Sequence, residues 1–157
     1  MNKILVNQDK ASVDEIRNLL NVCDEYFIPA LSSTVKLDEY ATKIFNLCTN
    51  FEAWDESVLI GLVSSYLNDP DRRCGFITNV SVHPNYLKRG IATQLILNCI
   101  NHGTSLNFER IELEVDNNNE GAKHLYSRLG FETIQNSPEK QRMVYRIIEE
   151  DGESKKL

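Results

Sequence analysis

The chain is 157 residues long, with 41% hydrophobic, 25% charged and 8% aromatic residues; that is the length of one domain, long enough to bury roughly two thirds of the surface its unfolded chain exposes. Its 17 basic and 23 acidic side chains leave a formal charge of -6, the wrong sign for binding nucleic acid by phosphate neutralisation, so no nucleic-acid partner is expected. No apolar run approaches the roughly 18 residues of a membrane span, and the opening Met1-Asn2-Lys3-Ile4-Leu5-Val6-Asn7 turns polar too early for a signal peptide.

A short strand is expected over 4–6. Ser12-Val13-Asp14-Glu15 has the form of a capping box, and Val13, Ile16 and Leu20 recur at helical spacing, which predicts a helix over 13–23. The segment Phe27-Ile28-Pro29-Ala30-Leu31-Ser32-Ser33 reads as a loop, because Pro29 disfavours helix just before it. Leu37, Tyr40, Ile44, Leu47, Cys48 and Phe51 form the apolar stripe of a second helix. A β region follows, with a short strand around 51–54, a turn at Asp55-Glu56 and a longer strand over 58–67. Asn68-Asp69-Pro70-Asp71 has the residue types of a tight turn. The next strand, over 75–82, alternates Phe76, Thr78, Val80 and Val82 on one side and ends at Pro84. Ala92, Leu95, Ile96, Cys99 and Ile100 mark a helix, and Ile111, Leu113 and Val115 mark a strand over 108–115. Ala122, Leu125, Tyr126 and Leu129 form a helix stopped by Gly130, and strands over 131–134 and 142–148 close the domain. Strands joined both by hairpins and by helical crossovers imply an α/β fold with a mixed sheet.

Residues 1–148 read as a single domain, and 149–157 (Glu-Glu-Asp-Gly-Glu-Ser-Lys-Lys-Leu) as a flexible, solvated tail. Without an export signal a cytoplasmic location is expected, with Cys23, Cys48, Cys74 and Cys99 reduced. No C-x-x-C occurs and the three histidines lie at no ligand spacing, so no metal is expected.

The chemistry is concentrated between Ile77 and Phe131. There a strand runs through a tight loop, Leu87-Lys88-Arg89-Gly90, into a helix whose first turn holds Ile91, the small Ala92 and Thr93. The first N–H groups of a helix lack intrahelical partners and sit at its positive end. Beside Gly90 and Ala92 a phosphate can approach those groups closely, with Lys88 and Arg89 adding charge. Taken alone, the loop is equally a helix start with two solvated basic residues. It is neither a Walker A loop nor the three-glycine dinucleotide fingerprint.

Four spaced motifs sharpen this reading: Val82-x-Pro84-x-x-x-x-Arg89-Gly90-Ile91-Ala92, then Leu113-Glu114-Val115, then Asn119-x-x-Ala122-x-x-Leu125-Tyr126, then Gly130-Phe131. Together they resemble the acetyl-CoA motifs of GNAT-family N-acetyltransferases. The resemblance implies a mixed, mostly antiparallel central sheet with helices on both faces and splayed strands forming an acetyl-CoA cleft. It implies transfer of the acetyl group of acetyl-CoA to a primary amine of a small molecule, peptide or amino sugar by direct attack in a ternary complex. A weak acyl-CoA-binding module, or a transferase of a longer acyl group, is the alternative. Dimers are frequent in the family, which adds a homodimer to the expectations.

Residue by residue, the resemblance pairs the pantetheine arm with Val80, Ser81 and Val82, and gives the pyrophosphate to Lys88, Arg89, Gly90, Ile91, Ala92 and Thr93. Asn119 matches a cofactor contact, Tyr126 a cofactor contact and general acid for the departing thiolate, and Glu114 a proton acceptor. Each has a plainer reading too: Asn119 as a helix cap, Tyr126 as a buried structural tyrosine, Glu114 as an exposed strand carboxylate. The family usually opens its loop with Gln or Arg where this chain has Leu87. The acceptor is expected among the segments 26–34, 66–71 and 136–142, with Tyr66, Asn68 and Asp69 as the substrate candidates. A neutral amine is the nucleophile, so activity is expected to rise with pH until Tyr126 or the base titrates.

Overall fold

A computed structural model describes residues 3–148; the tail expected over 149–157 lies outside the described residues. The chain forms β1 (Ile4–Gln8), α1 (Val13–Cys23), α2 (Leu37–Leu47), β2 (Thr49–Asp55), β3 (Val58–Tyr66) and β4 (Cys74–Val82). It continues through α3 (Ile91–Ser105), β5 (Arg110–Asp116), α4 (Glu120–Leu129), β6 (Glu132–Asn136) and β7 (Lys140–Arg146). The expected element order holds.

All seven strands join one sheet in the order β1-β2-β3-β4-β5-β7-β6. Only β4 and β5 run parallel, because α3 carries the chain back between them. Every other neighbouring pair is antiparallel. Helices cover both faces. On one, Ile16, Leu20, Ala41 and Ile44 of α1 and α2 pack over Trp54, Leu59 and Leu62. On the other, Leu95, Ile96 and Ile100 of α3 and Tyr126 of α4 pack against Phe51, Val63, Ile111 and Leu113.

Local chemistry explains most boundaries. The capping box at α1 closes both ways: Ser12 Oγ accepts the Glu15 N–H at 3.1 Å and Glu15 Oε1 accepts the Ser12 N–H at 3.0 Å. At the other end of α4, Gly130 stands at φ +107, and an added Cβ would lie 3.1 Å from the Tyr145 ring. Both the conformation and the space there call for glycine.

Two expectations are corrected. The stripe Leu37 to Phe51 is not one helix, since α2 stops at Leu47. Asn50 turns its amide back to donate to the Ile44 carbonyl at 3.1 Å, which closes the helix end, and Phe51 pairs with Val63 in the sheet. Nor do Phe76, Thr78, Val80 and Val82 share a face. The register of β4 on β3 slips so that Ile77 pairs with Ser65 and Asn79 with Ser64, leaving Thr78 without a partner. That bulge resets the alternation. Val80 and Val82 therefore join Ile77 on the α3 side, while Phe76 turns to the opposite face under Arg142.

Candidate active site

The parallel ladder between β4 and β5 runs from Cys74 opposite Arg110 to Ile77 opposite Leu113 and then stops. Beyond it Thr78–Val82 and Glu114–Asp116 diverge, and the sheet opens. The splay expected of the fold is present, and a cleft of about 340 Å³ occupies it.

The hydrogen-bonding edge of β4 shows what the opening exposes. His83 donates its N–H to Ile60 at 2.8 Å, and Val82, Ser81 and Val80 sit opposite Gly61, Leu62 and Val63. In an antiparallel pair every second residue bonds across the ladder. The partner-facing groups are thus those of His83 and Ser81, and the main-chain groups of Val80 and Val82 point into the gap. The Val82 carbonyl meets the Cys23 thiol there, at 3.4 Å; burial pushes that thiol up to about 11.

At the same end of β4 the helix α3 begins. Gly90 is its N-cap at φ +77, with no atom within 4 Å of an added Cβ. The helical ladder starts with Gln94 N–H donating to the Gly90 carbonyl at 3.0 Å. The N–H groups of Ile91, Ala92 and Thr93 therefore have no acceptor within the helix. Leu87, 48% exposed, and Ala92 both line the cleft at this end.

The cleft's inner wall is Tyr126, only 8% exposed. Its hydroxyl makes no hydrogen bond among the described residues. Burial alone pushes this phenol up to about 12. The far wall is apolar and comes from the segment after α1, with Phe27, Pro29 and Leu31 half-buried or at the surface and Tyr26 and Ile28 exposed.

A sequence model of the acetyltransferase (GNAT) family matches residues 13–131. The chain belongs to the GNAT family. No curated protein sequence matches it, whereas many solved structures do. The PaiA N-acetyltransferase of Thermoplasma acidophilum, solved in complex with coenzyme A, is 14% identical, with 92% of this chain and 99% of that one covered at a TM-score of 0.71. YncA of Salmonella typhimurium, solved with acetyl-CoA, is 14% identical over 92% and 94% at 0.74. Arabidopsis thaliana NAA60, in complex with a bisubstrate analogue, is 18% identical over 92% and 98% at 0.74. At these identities the likeness is one of fold.

Against this GNAT frame the candidates divide. Val80, Ser81, Val82, Ala92, Glu114, Asn119 and Tyr126 all line the cleft. Lys88 and Thr93 do not, and Arg89, Gly90 and Ile91 border a second hollow beside Ile4 and Val6 at the β1 edge. The Ile91 side chain is core, 8% exposed, with its Cγ2 2.8 Å from where a Gly61 Cβ would lie. Asn119 does cap α4, accepting the Ala122 N–H at 3.1 Å. Glu114 is ion-paired, with Lys140 at 3.1 Å and Arg142 at 3.7 Å.

Tyr66, Asn68 and Asp69 are not brought to the cleft; they border a separate cavity on the α2 side of the sheet. Asn68 donates to the Leu47 carbonyl at 3.3 Å, and Asp69 accepts from the Arg72 N–H at 3.3 Å, as a turn does. Cys23, Asp116 and Glu112 escaped the sequence reading, and Arg142 entered it only as the end of the 136–142 segment. For Glu112 and Asp116 a signal existed, since they share the polar period of β5 with Glu114; for the pairing of Arg142 with Glu112 across 30 residues, none did.

Proposed function

We propose that this GNAT protein is an acetyl-CoA-dependent N-acetyltransferase that moves the acetyl group directly to a primary amine. One observation carries the reading: the parallel ladder ends at Ile77 and Leu113, where the main chain of Val80 and the Val82 N–H, turned away from β3, stand beside the free amides that open α3. Buried main-chain groups without partners are rare unless a ligand completes them. A strand-like pantetheine arm fits the first set, and a diphosphate at a helix N-terminus the second. The space at Gly90 fits that group as well. Acetyl-CoA, when bound, supplies the acetyl thioester.

The chain's own residues do the rest. A main-chain N–H at Val80 or Val82 stabilises negative charge developing on the acyl oxygen; such a donor is worth roughly 3–4 kcal/mol in a dry site. Tyr126, held near 12, keeps its proton across the working pH range. Full transfer to a thiolate of ordinary pKa, about 8.5, is uphill by roughly 4–5 kcal/mol. Its help therefore begins as a hydrogen bond to the departing sulfur, and the proton follows as the apolar site raises the thiolate's own affinity. Glu114 faces the amine from the opposite strand and takes up its proton. Its carboxylate is also ion-paired with Lys140 at 3.1 Å and Arg142 at 3.7 Å, and water carries that proton onward.

A second reading is a cofactor-binding module without turnover, supported by Leu87 in place of Gln or Arg and by the already paired Glu114. Calorimetry with acetyl-CoA, followed by coenzyme A release over an amine panel, separates the two. Binding with release is the expected result. Binding without release on any amine supports the module, and absence of binding overturns both.

A further inference from the structure

On the α2 side of the sheet, past the closed end of the splay, lies a cavity of about 390 Å³ between Tyr66, Cys74, Phe76, Arg110, Glu112 and Arg142. Its centre is the Glu112 side chain, 8% exposed. The carboxylate accepts from Arg110 Nε at 2.8 Å, Arg142 Nη1 at 2.9 Å and the Cys74 thiol at 3.3 Å. Burial works to raise this carboxyl, and the hydrogen bonds from Arg142, Arg110 and Cys74 bring it below the usual range. A buried carboxylate is stable only when so paired. The charged residues lining the cavity are Arg72, Arg110 and Arg142 against Asp69 and Glu112, which leaves a net positive charge in a chain whose formal charge is -6.

The two arginines are also fixed in place. Arg142 lies over the Phe76 ring, 5.1 Å from its centroid, and its second terminal nitrogen reaches Glu114 at 3.7 Å. Arg110 is held by Nε alone, and its two terminal nitrogens have no partner among the described residues. A guanidinium clamped from behind with its outer donors free is matched to an oxyanion. Lys43, over the Tyr66 ring at 6.0 Å, adds a second cation at the rim.

We propose that this cavity binds an anionic group, carboxylate or phosphate, carried by the acceptor itself. Glu114 lines the cleft, Arg142 lines the cavity, and the two are ion-paired at 3.7 Å. Glu114 and Arg110 are four residues apart on one face of β5, about 13 Å at roughly 3.3 Å per residue. The acceptor is thus an amine with its anionic group at the far end of a chain of that order, reaching from the cleft past Glu114 to Arg110. This rests on the acetyl-transfer reading for the amine end only.

The test is calorimetry on the full chain saturated with coenzyme A, with aminohexanoate, aminohexyl phosphate and neutral aminohexanol as matched probes. At least one anionic probe is expected to bind about tenfold or more tightly than aminohexanol, and the two anionic arms identify carboxylate or phosphate. Arg110→Gln is expected to remove that preference and Arg110→Lys to restore part of it, with thermal melts reporting that each variant is folded. Equal affinity for all three probes overturns the proposal, as does a preference that survives Arg110→Gln. An anionic preference in a protein that releases no coenzyme A from any amine leaves the subsite standing and removes the catalytic reading.

Discussion

Glu52 and Tyr126 are both buried polar side chains on this sheet, and the fold treats them in opposite ways. Glu52, 0% exposed on β2, accepts from the Lys10 N–H at 3.0 Å, the Ala11 N–H at 2.8 Å and the Trp54 indole at 3.1 Å. It ties the entrance of α1 to the sheet. Tyr126, nearly as deep, has a hydroxyl with no partner among the described residues and stands on a cleft beside the edge of β4 that faces away from β3. The first pattern is that of a group kept for stability. The second is what a fold leaves when a ligand is to complete it. Substitutions that disable one region while sparing the other test the contrast.

The largest effect is expected at the helix that opens the cleft. Gly90→Glu puts an acidic side chain into open space at φ +77. The left-handed backbone costs about 1–2 kcal/mol, so the fold survives, but a like charge faces the diphosphate. Calorimetry is expected to show acetyl-CoA affinity weakened about 1000-fold, roughly 4 kcal/mol. A loss below tenfold would remove the phosphate assignment.

Tyr126→Phe is expected to lower kcat by about 100-fold, within the range of general acid catalysis, with acetyl-CoA affinity within about twofold of wild type. Because the hydroxyl has no protein partner among the described residues, the melting temperature is expected to hold or rise. The pH profile sharpens the assignment. The amine reacts unprotonated, so the rate climbs with pH. The phenol, at about 12, stays protonated throughout that climb. No alkaline fall is expected below pH of about 10, and the variant's profile is expected to be the wild-type curve scaled down. Unchanged turnover in the variant excludes the acid role.

Glu52→Gln is the mirror experiment. An amide nitrogen replaces one acceptor oxygen in front of four donor contacts, which costs about 2–3 kcal/mol of stability by denaturant unfolding. Acetyl-CoA affinity is expected to stay within about twofold. A matching loss of affinity would mean that the two regions are coupled.

The same division separates what the sequence disclosed from what it did not. The capping box at Ser12, the glycine at the start of α3, the Asn119 cap and the Tyr126 stripe are each written within about four residues, the reach of one helical turn. Val80 to Val82 were singled out only through the family resemblance, by their position at the end of the strand that leads into that loop. The bulge at Thr78 was not, since it exists only in the register of β4 against β3. Asn50 ended α2 by a side-chain bond that no apolar periodicity encodes. Tyr66, Asn68 and Asp69 have the right chemistry for an amine but stand beyond the closed end of the splay. The Glu112–Arg142 pair joins strands 30 residues apart. What stayed hidden is what depends on which strand lies next to which.

The smallest effect tests whether that hidden bulge matters to the cleft. Thr78 has no partner on β3, and Tyr40 of α2 supplies one: its hydroxyl donates to the Thr78 carbonyl at 2.9 Å, with Thr78 Oγ1 at 3.1 Å. Burial of this phenol pushes it up to about 12, so the donor proton is present at any pH the fold survives. Tyr40→Phe removes one neutral hydrogen bond, about 1 kcal/mol. If the bond only seals the helix to the sheet, the loss appears in stability alone. If it holds the bulge that turns Val80 and Val82 toward the gap, acetyl-CoA affinity falls as well, by about threefold to fivefold or up to 1 kcal/mol, while kcat at saturation is kept. The second outcome is expected, because the main-chain groups that face the gap begin two residues after the one that Tyr40 grips.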